Sequence, residues 1–435
     1  MTVSKAKSLL IILLAALMVY QTGLLWFVNI TNRHFFLNYL PFLHQAVIPE
    51  RLDRLVRPRR IITVHGDRTF SAKYGRESMS YAKRYGDVVI SHLLQSGSFI
   101  GTQALDYEAL FAYPAYIYEY AFYMEPEWFT KGFGQRSSTL MAANTGPFKR
   151  IVIRPPIYEN MDAEVFFICI DGYAHKFMIN PPGGDGPDTF AHEISPSNDN
   201  PSYAFIEPGE EFIRSGDFNF YGMSVINPYA DVHRGLSMDF VMEQVAVFFN
   251  NPANIQRNAG DEVWVYIQGN TVVRYYANQV LEYISYRSVD RSAPSTFLND
   301  FSSAVQFAES DHLIINDFYL ADFREEEGQW IFYFNYVIGD NPLIMPDDRP
   351  GGADLPAPIV VNVYHGTVVR YRKIALNFHI DKDRRLRSHA NFETLPFSDY
   401  NLSNVQLGFR MSDSDQDNLF WFLNGRRIIL SAENR

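Results

Sequence analysis

Thr271-Val272-Val273-Arg274-Tyr275 recurs ninety-six positions downstream as Thr367-Val368-Val369-Arg370-Tyr371. A five-residue identity alone arises by chance, but both copies sit in the same setting. Val263, Val265 and Ile267 alternate with outward residues before Gly269-Asn270, and Ile359, Val361 and Val363 do the same before His365-Gly366. Strand side chains alternate between faces, and a Gly-containing pair between two alternating runs is a strong hairpin signal. The stretch therefore predicts two related antiparallel β-hairpins. Between them, Thr296–Glu309 has helical spacing, and Leu313–Phe323 and Trp330–Val337 read as two more strands. Gly339–Pro358 holds five prolines and three glycines and reads as a linker.

Upstream, Ile61-Ile62-Thr63-Val64 starts a strand, and residues 77–96 carry a helical apolar stripe through Val88, Val89 and Leu93. Arg150–Arg154, Ala163–Ile170 and Tyr173–Ile179 read as successive strands, the last two joined by the turn Asp171-Gly172. Residues 180–202 form a proline-rich loop, and Leu236–Phe249 reads as an apolar helix. The fold class expected is α+β. It comprises an N-terminal ectodomain over 61–250, a middle β/α module over 251–345, a linker over 346–357 and a C-terminal β module over 358–435.

Residues 8–32 contain no charged side chain. At helical rise such a segment spans about 37 Å, enough for a bilayer core of roughly 30 Å. Its apolar core runs past Ala15-Ala16 into Leu24-Leu25-Trp26-Phe27 without a clean cleavage site, which favours an uncleaved transmembrane anchor over a secretory signal. Lys5 and Lys7 in the tail 1–7 favour a cytoplasmic amino terminus and an extracytoplasmic remainder. Residues 33–60 form a basic connector with Arg51, Arg54, Arg57, Arg59 and Arg60, which contacts anionic lipid or is simply solvated. The only cysteine, Cys169, excludes an internal disulfide and a lipid anchor. An exported chain without disulfides suits a Gram-positive surface.

The net charge of −11 argues against nucleic acid as a partner. No catalytic residue, cofactor or metal ligand is expected. Gly183-Gly184-Asp185-Gly186 is not followed by Lys-Ser/Thr, so it is no phosphate loop. Asp413, Asp415 and Asp417 open like a calcium loop, but Asn418 and Asn424 replace its glycine and its closing glutamate. His192-Glu193 lacks the second histidine of a zinc helix, and the 11 histidines look scattered. Ser80-Tyr81-Ala82-Lys83 has the nucleophile–base spacing of penicillin-recognising enzymes, without the Lys-Thr-Gly strand that accompanies it. An anchored cell-wall enzyme using Ser80 and Lys83 is thus one alternative, and a binding module for wall fragments or peptides is another.

Several short patterns, in order, resemble the YycH family. They are Thr22-Gly23-Leu24-Leu25-Trp26 closing the apolar helix, Arg57-Pro58 leading through Arg59-Arg60 into Ile61–Val64 and His65-Gly66, and the helix Met242–Phe249 ending at Asn250-Asn251. Leu281-Glu282-Tyr283 and Val368-Val369-Arg370-Tyr371-Arg372 complete the series. The resemblance implies a membrane-anchored, non-enzymatic regulator of a WalK/YycG-like sensor histidine kinase, acting with a YycI-like membrane protein. Partners then meet partly within the membrane, where small residues and polar groups drive helix association. Ala15, Ala16 and Gly23 would permit close approach, Gln21 and Thr22 would hydrogen-bond across helices or to their own backbone, and Trp26 would complete that face.

Overall fold

Asp171-Gly172 closes a hairpin, and around it the first half of the chain builds a seven-stranded antiparallel sheet. The computed structural model of the chain describes residues 52–64, 70–73, 76–106, 109–110, 112–134, 139–156, 162–180, 223–226, 238–249, 251, 254–260, 263–277, 280–289, 295–311, 317–338, 341–344, 355–374, 385–388, 405–410, 419–423 and 426–427. The strands of the first sheet are β1 (Arg60–Val64), β2 (Phe70–Lys73), β3 (Ser98–Ala104), β4 (Ala115–Met124), β5 (Phe148–Arg154), β6 (Ala163–Cys169) and β7 (Tyr173–Ile179). Their spatial order is β2-β1-β4-β5-β6-β7-β3.

Register explains why these strands are apolar throughout. Ile62, Ile117, Val152 and Phe166 lie opposite one another on one face, and Ile61, Tyr118, Ile151 and Phe167 on the other. Every one of these residues is buried, so both faces are covered. The second set meets helices. From β4, Tyr118 Oη donates to the carbonyls of Ala82 (2.7 Å) and Lys83 (3.1 Å) on α1 (Arg76–Ser96). A Cβ at Gly86 would lie 2.0 Å from that oxygen. The close approach therefore requires glycine there, although glycine costs about 1 kcal/mol inside a helix. Phe129 on α2 (Pro126–Gly132) packs edge-on to Phe148 and Phe167, and α3 (Thr139–Asn144) follows. The first set meets the second sheet, whose Tyr319 and Val337 join Ile62, Val64, Ile117 and Val152 in one core. Each such side chain, fully buried, contributes about 1.5–3 kcal/mol.

Strand β8 (Met223–Ile226) and helix α4 (Met238–Ala246) lead to β9 (Gln256–Ala259), β10 (Val263–Gln268), β11 (Thr271–Tyr276) and β12 (Val280–Ser285). Helix α5 (Phe297–Ser310) is capped by Thr296. Then come β13 (Asp317–Glu326), β14 (Gln329–Ile338), β15 (Asn341–Ile344), β16 (Ile359–Tyr364), β17 (Thr367–Ile374), β18 (Arg385–Ser388), β19 (Val405–Arg410), β20 (Leu419–Leu423) and β21 (Arg426–Arg427). Apart from β8 and β18, which pair with each other, these strands form a twelve-stranded sheet. Its order is β9-β10-β11-β12-β17-β16-β14-β15-β19-β20-β21, with β13 also on β14.

The repeat is a pair of hairpins, as its sequence predicts. Gly269 (φ 56°) turns β10 into β11. His365 (φ 46°) and Gly366 (φ 73°) turn β16 into β17, and two consecutive positive φ values are what a type I′ turn requires. The two hairpins flank one strand, since β12 pairs with β11 on one side and β17 on the other. With β14 paired to β16 as well, the sheet runs across the stretch 346–357 expected as a linker. The α+β class stands, dominated by antiparallel sheet. Among the described residues no helix is long and apolar enough to cross a membrane, and residues 8–32 lie outside them.

Candidate functional site

Residues 52–60 join the amino-terminal part of the chain to this body. Leu52, Leu55 and Val56 are buried, and Val56 packs so tightly on α2 that a Cβ at Gly132 would lie 2.2 Å from its Cγ1. The arginines that follow are neither solvated nor spread for lipid, which corrects that expectation for Arg54, Arg57 and Arg60. Arg57, with its side chain 6% exposed, grips both carboxylate oxygens of Asp317 at the start of β13 and donates to the Phe318 carbonyl at 3.2 Å. Arg54 reaches Asp317 at 3.2 Å and Glu309 at 3.0 Å, and its guanidinium lies over the Phe318 ring. Burial pushes the Asp317 carboxyl up, but Arg57 and Arg54 overcome this and hold it below its usual value.

Arg60 takes its place from register. Arg60, Glu119 and Arg150 stand opposite one another on β1, β4 and β5, in line with the Ile62–Phe166 face. Arg60 Nε and Nη2 donate to Glu119 Oε1 (2.9 Å) and Oε2 (3.2 Å), and Arg150 Nε donates to Oε2 (3.2 Å). All three side chains are buried. Burial alone would raise the Glu119 carboxyl, but Arg60, Arg150 and Arg59 pull it far below the usual carboxylate range. The entry segment is thus tied by charge to both sheets at once.

A groove of about 520 Å³ runs between this segment and α1, lined among others by Asp53, Arg54, Arg57, Ser80, Lys83 and Asp87. Ser80 and Lys83 do fall on one helix, as their spacing requires. Lys83, however, forms an ion pair with Asp87 one turn on. Burial raises the Asp87 carboxyl, opposed by Lys83.

The repeated arginines converge. Glu282 of Leu281-Glu282-Tyr283 sits on β12 between the two hairpins and receives Arg274 at 3.1 Å from one and Arg370 Nε at 2.7 Å from the other, with Tyr276 Oη at 3.0 Å. The tyrosines that close the motif, Tyr275 and Tyr371, are fully buried. Tyr371 Oη donates to Asp311 at 3.0 Å, and Asp311 also holds Lys373 at 2.6 Å in a nearly solvent-free pair.

The membrane-face residues Ala15, Ala16, Gln21, Thr22, Gly23 and Trp26 lie outside the described residues, as do Gly183–Gly186, His192-Glu193 and the Asp413–Asp417 run. One grouping escaped the sequence reading. Cys169, Asp171 and His175 offer a sulfur, a carboxylate oxygen and a ring nitrogen within 4.8 Å of one another. Their spacing matches no familiar ligand pattern, and only the strand register unites them.

No protein-family model matches the chain. No curated protein matches it either. The fold is similar to the crystal structure of YycH from Bacillus subtilis, at a TM-score of 0.55 and 11% identity, covering 88% of this chain and 98% of that one. The chain therefore has a YycH-like fold.

Proposed function

We propose that this protein is a membrane-anchored, non-enzymatic regulator of a WalK/YycG-like sensor histidine kinase, acting with a YycI-like membrane protein. The observation that carries the reading is the YycH-like fold over nearly the whole chain. The segment 52–60 supports it, because Arg57 and Arg60 fasten the start of the body to both sheets. Residues 8–32 supply the anchor, with the amino terminus cytoplasmic and the body outside. The face of Ala15, Ala16, Gln21, Thr22, Gly23 and Trp26 meets the partner helices. Such a protein shifts the kinase only as far as it binds one kinase state better than the other.

The test is a membrane two-hybrid assay with the full-length chain against the kinase and against the YycI-like protein. Capture of both by the natural chain, weakened by the double change Gln21→Leu and Gly23→Leu, is expected. Absence of capture by the natural chain overturns the reading. A covalent adduct with a fluorescent penicillin, lost in Ser80→Ala, would instead establish the wall-enzyme alternative.

A further inference from the structure

Strand β6 ends at Cys169, and three residues turn the chain back into β7, with Gly172 N donating to the Cys169 carbonyl at 3.1 Å and Gly172 at φ 80°. Phe167 lies opposite His175 in this hairpin. Cys169, two residues beyond Phe167, therefore shares a face with His175. Asp171, at the tip, anchors one oxygen on Tyr173 N at 3.0 Å and brings the other to 3.5 Å from His175 Nε2. That nitrogen is buried and makes no hydrogen bond. The other ring nitrogen is engaged: His175 Nδ1 is 3.2 Å from Oγ1 of Thr102, its cross-strand neighbour on β3. Behind the cluster, the rings of Phe99, Phe167 and Phe177 form an apolar floor.

The geometry points to a divalent transition-metal site of the zinc type at this hairpin tip, held by Cys169 Sγ, an Asp171 oxygen and His175 Nε2. A ring nitrogen that is buried, makes no hydrogen bond and lies 3.5 Å from a carboxylate oxygen, with the Cys169 sulfur in the same cluster, is in place for a cation. Bonds of 2.0–2.3 Å in a tetrahedron put ligand atoms about 3.3–3.6 Å apart, and the nitrogen–oxygen separation of 3.5 Å already fits. Thiolate with imidazole selects zinc-like ions over magnesium or calcium. Thr102 plays the outer part, accepting the Nδ1 proton and so presenting Nε2 to the metal. The Cys169 thiol donates to the Gly146 carbonyl, 3.5 Å away. On binding, the sulfur–metal bond replaces the S–H bond and the proton passes to solvent. Three protein ligands leave a fourth position, and Asp171, half-exposed, marks the open side.

The test is titration of the full-length chain, purified in detergent and freed of metal by chelator, with Co²⁺ alone and then with Zn²⁺ in competition. Cys169 is the sole cysteine, so a thiolate-to-cobalt charge-transfer band reports on this site and no other. One Co²⁺ per chain with that band, displaced by Zn²⁺, is expected. Cys169→Ser and His175→Ala should abolish it, and Thr102→Val should weaken it by about ten- to a hundredfold. Asp171→Asn, on an exposed turn, keeps the fold and should also weaken binding. No band in the natural chain, or Co²⁺ binding unchanged in both Asp171→Asn and His175→Ala, overturns the proposal. Kinase capture is read by a separate assay, so the two readings fail independently.

Discussion

Each of the two large sheets carries a glutamate on an inner strand, bracketed by arginines from its two neighbours. In the first, Arg60 and Arg150 are 6% and 7% exposed around Glu119 at 4%. In the second, Arg274 and Arg370 are 37% and 45% exposed around Glu282 at 3%. The pattern is the same, yet the surroundings give it different meanings. In the first cluster no charge can turn to water if a partner is lost. In the second, both guanidiniums can. The sealed version lies where the second sheet covers the first, next to the entry segment. The wet version faces out, between the two hairpins. Identical residue types thus make a brace in one place and a surface clamp in the other.

The sharpest way to break this contrast is Glu119→Gln, which removes the carboxylate charge that two buried arginines share. It should cost about 3–5 kcal/mol, read as a lower midpoint in urea by tryptophan fluorescence. A loss no larger than that of Glu282→Gln would mean that water reaches the first cluster. Arg57→Ala comes next, since Asp317 keeps Arg54. A loss of about 2–3 kcal/mol is expected, with faster proteolysis around residues 52–60. Glu282→Gln should cost only about 1–2 kcal/mol, and added salt should shrink the difference from the natural chain. Arg370→Ala is the mildest change, about 1 kcal/mol or less.

Acid distinguishes the clusters by another route. The carboxyls of Glu119 and Glu282 are both held below their ordinary value of 4.5, after burial has pushed the other way: Glu119 by Arg60 and Arg150, Glu282 by Arg370 and Tyr276. A depressed carboxyl contributes stability that is fully present above the ordinary value and lost as pH falls through the folded one. Stability should therefore decline below about pH 4.5, and Glu119→Gln should flatten that decline more than Glu282→Gln does. Equal slopes in urea titrations across this range would contradict the sealed-versus-wet distinction.

The hairpins were legible because their determinants are local. Gly269-Asn270, His365-Gly366 and Asp171-Gly172 state their turns, and alternation in Val263–Ile267 and Ile359–Val363 states the faces. Strand β4 had no such signal, because Ala115–Tyr120 is buried on both faces and does not alternate. Gln256–Ala259 pairs on β10 with all four residues exposed and has no apolar pattern to read. The arginine run misled for a different reason. Its partners are Glu119 and Asp317, 59 residues away from Arg60 and 260 from Arg57, and no local pattern announces a partner at that distance. Cys169, Asp171 and His175 are close in the chain, but they become a set only when Phe167 is placed opposite His175.

The clamp on Glu282 also has a consequence in time. Strand β12 is complete long before the ribosome delivers β17, whose Arg370 lies 88 residues further along. Until then the nascent chain carries β12 with one unpaired edge, Leu281 included, and open edges recruit wrong partners. Until Arg370 arrives, Glu282 and its partner Arg274 are what keep that waiting edge charged. Slow translation or a truncation between residues 285 and 367 should therefore favour aggregation of this protein over partial folding.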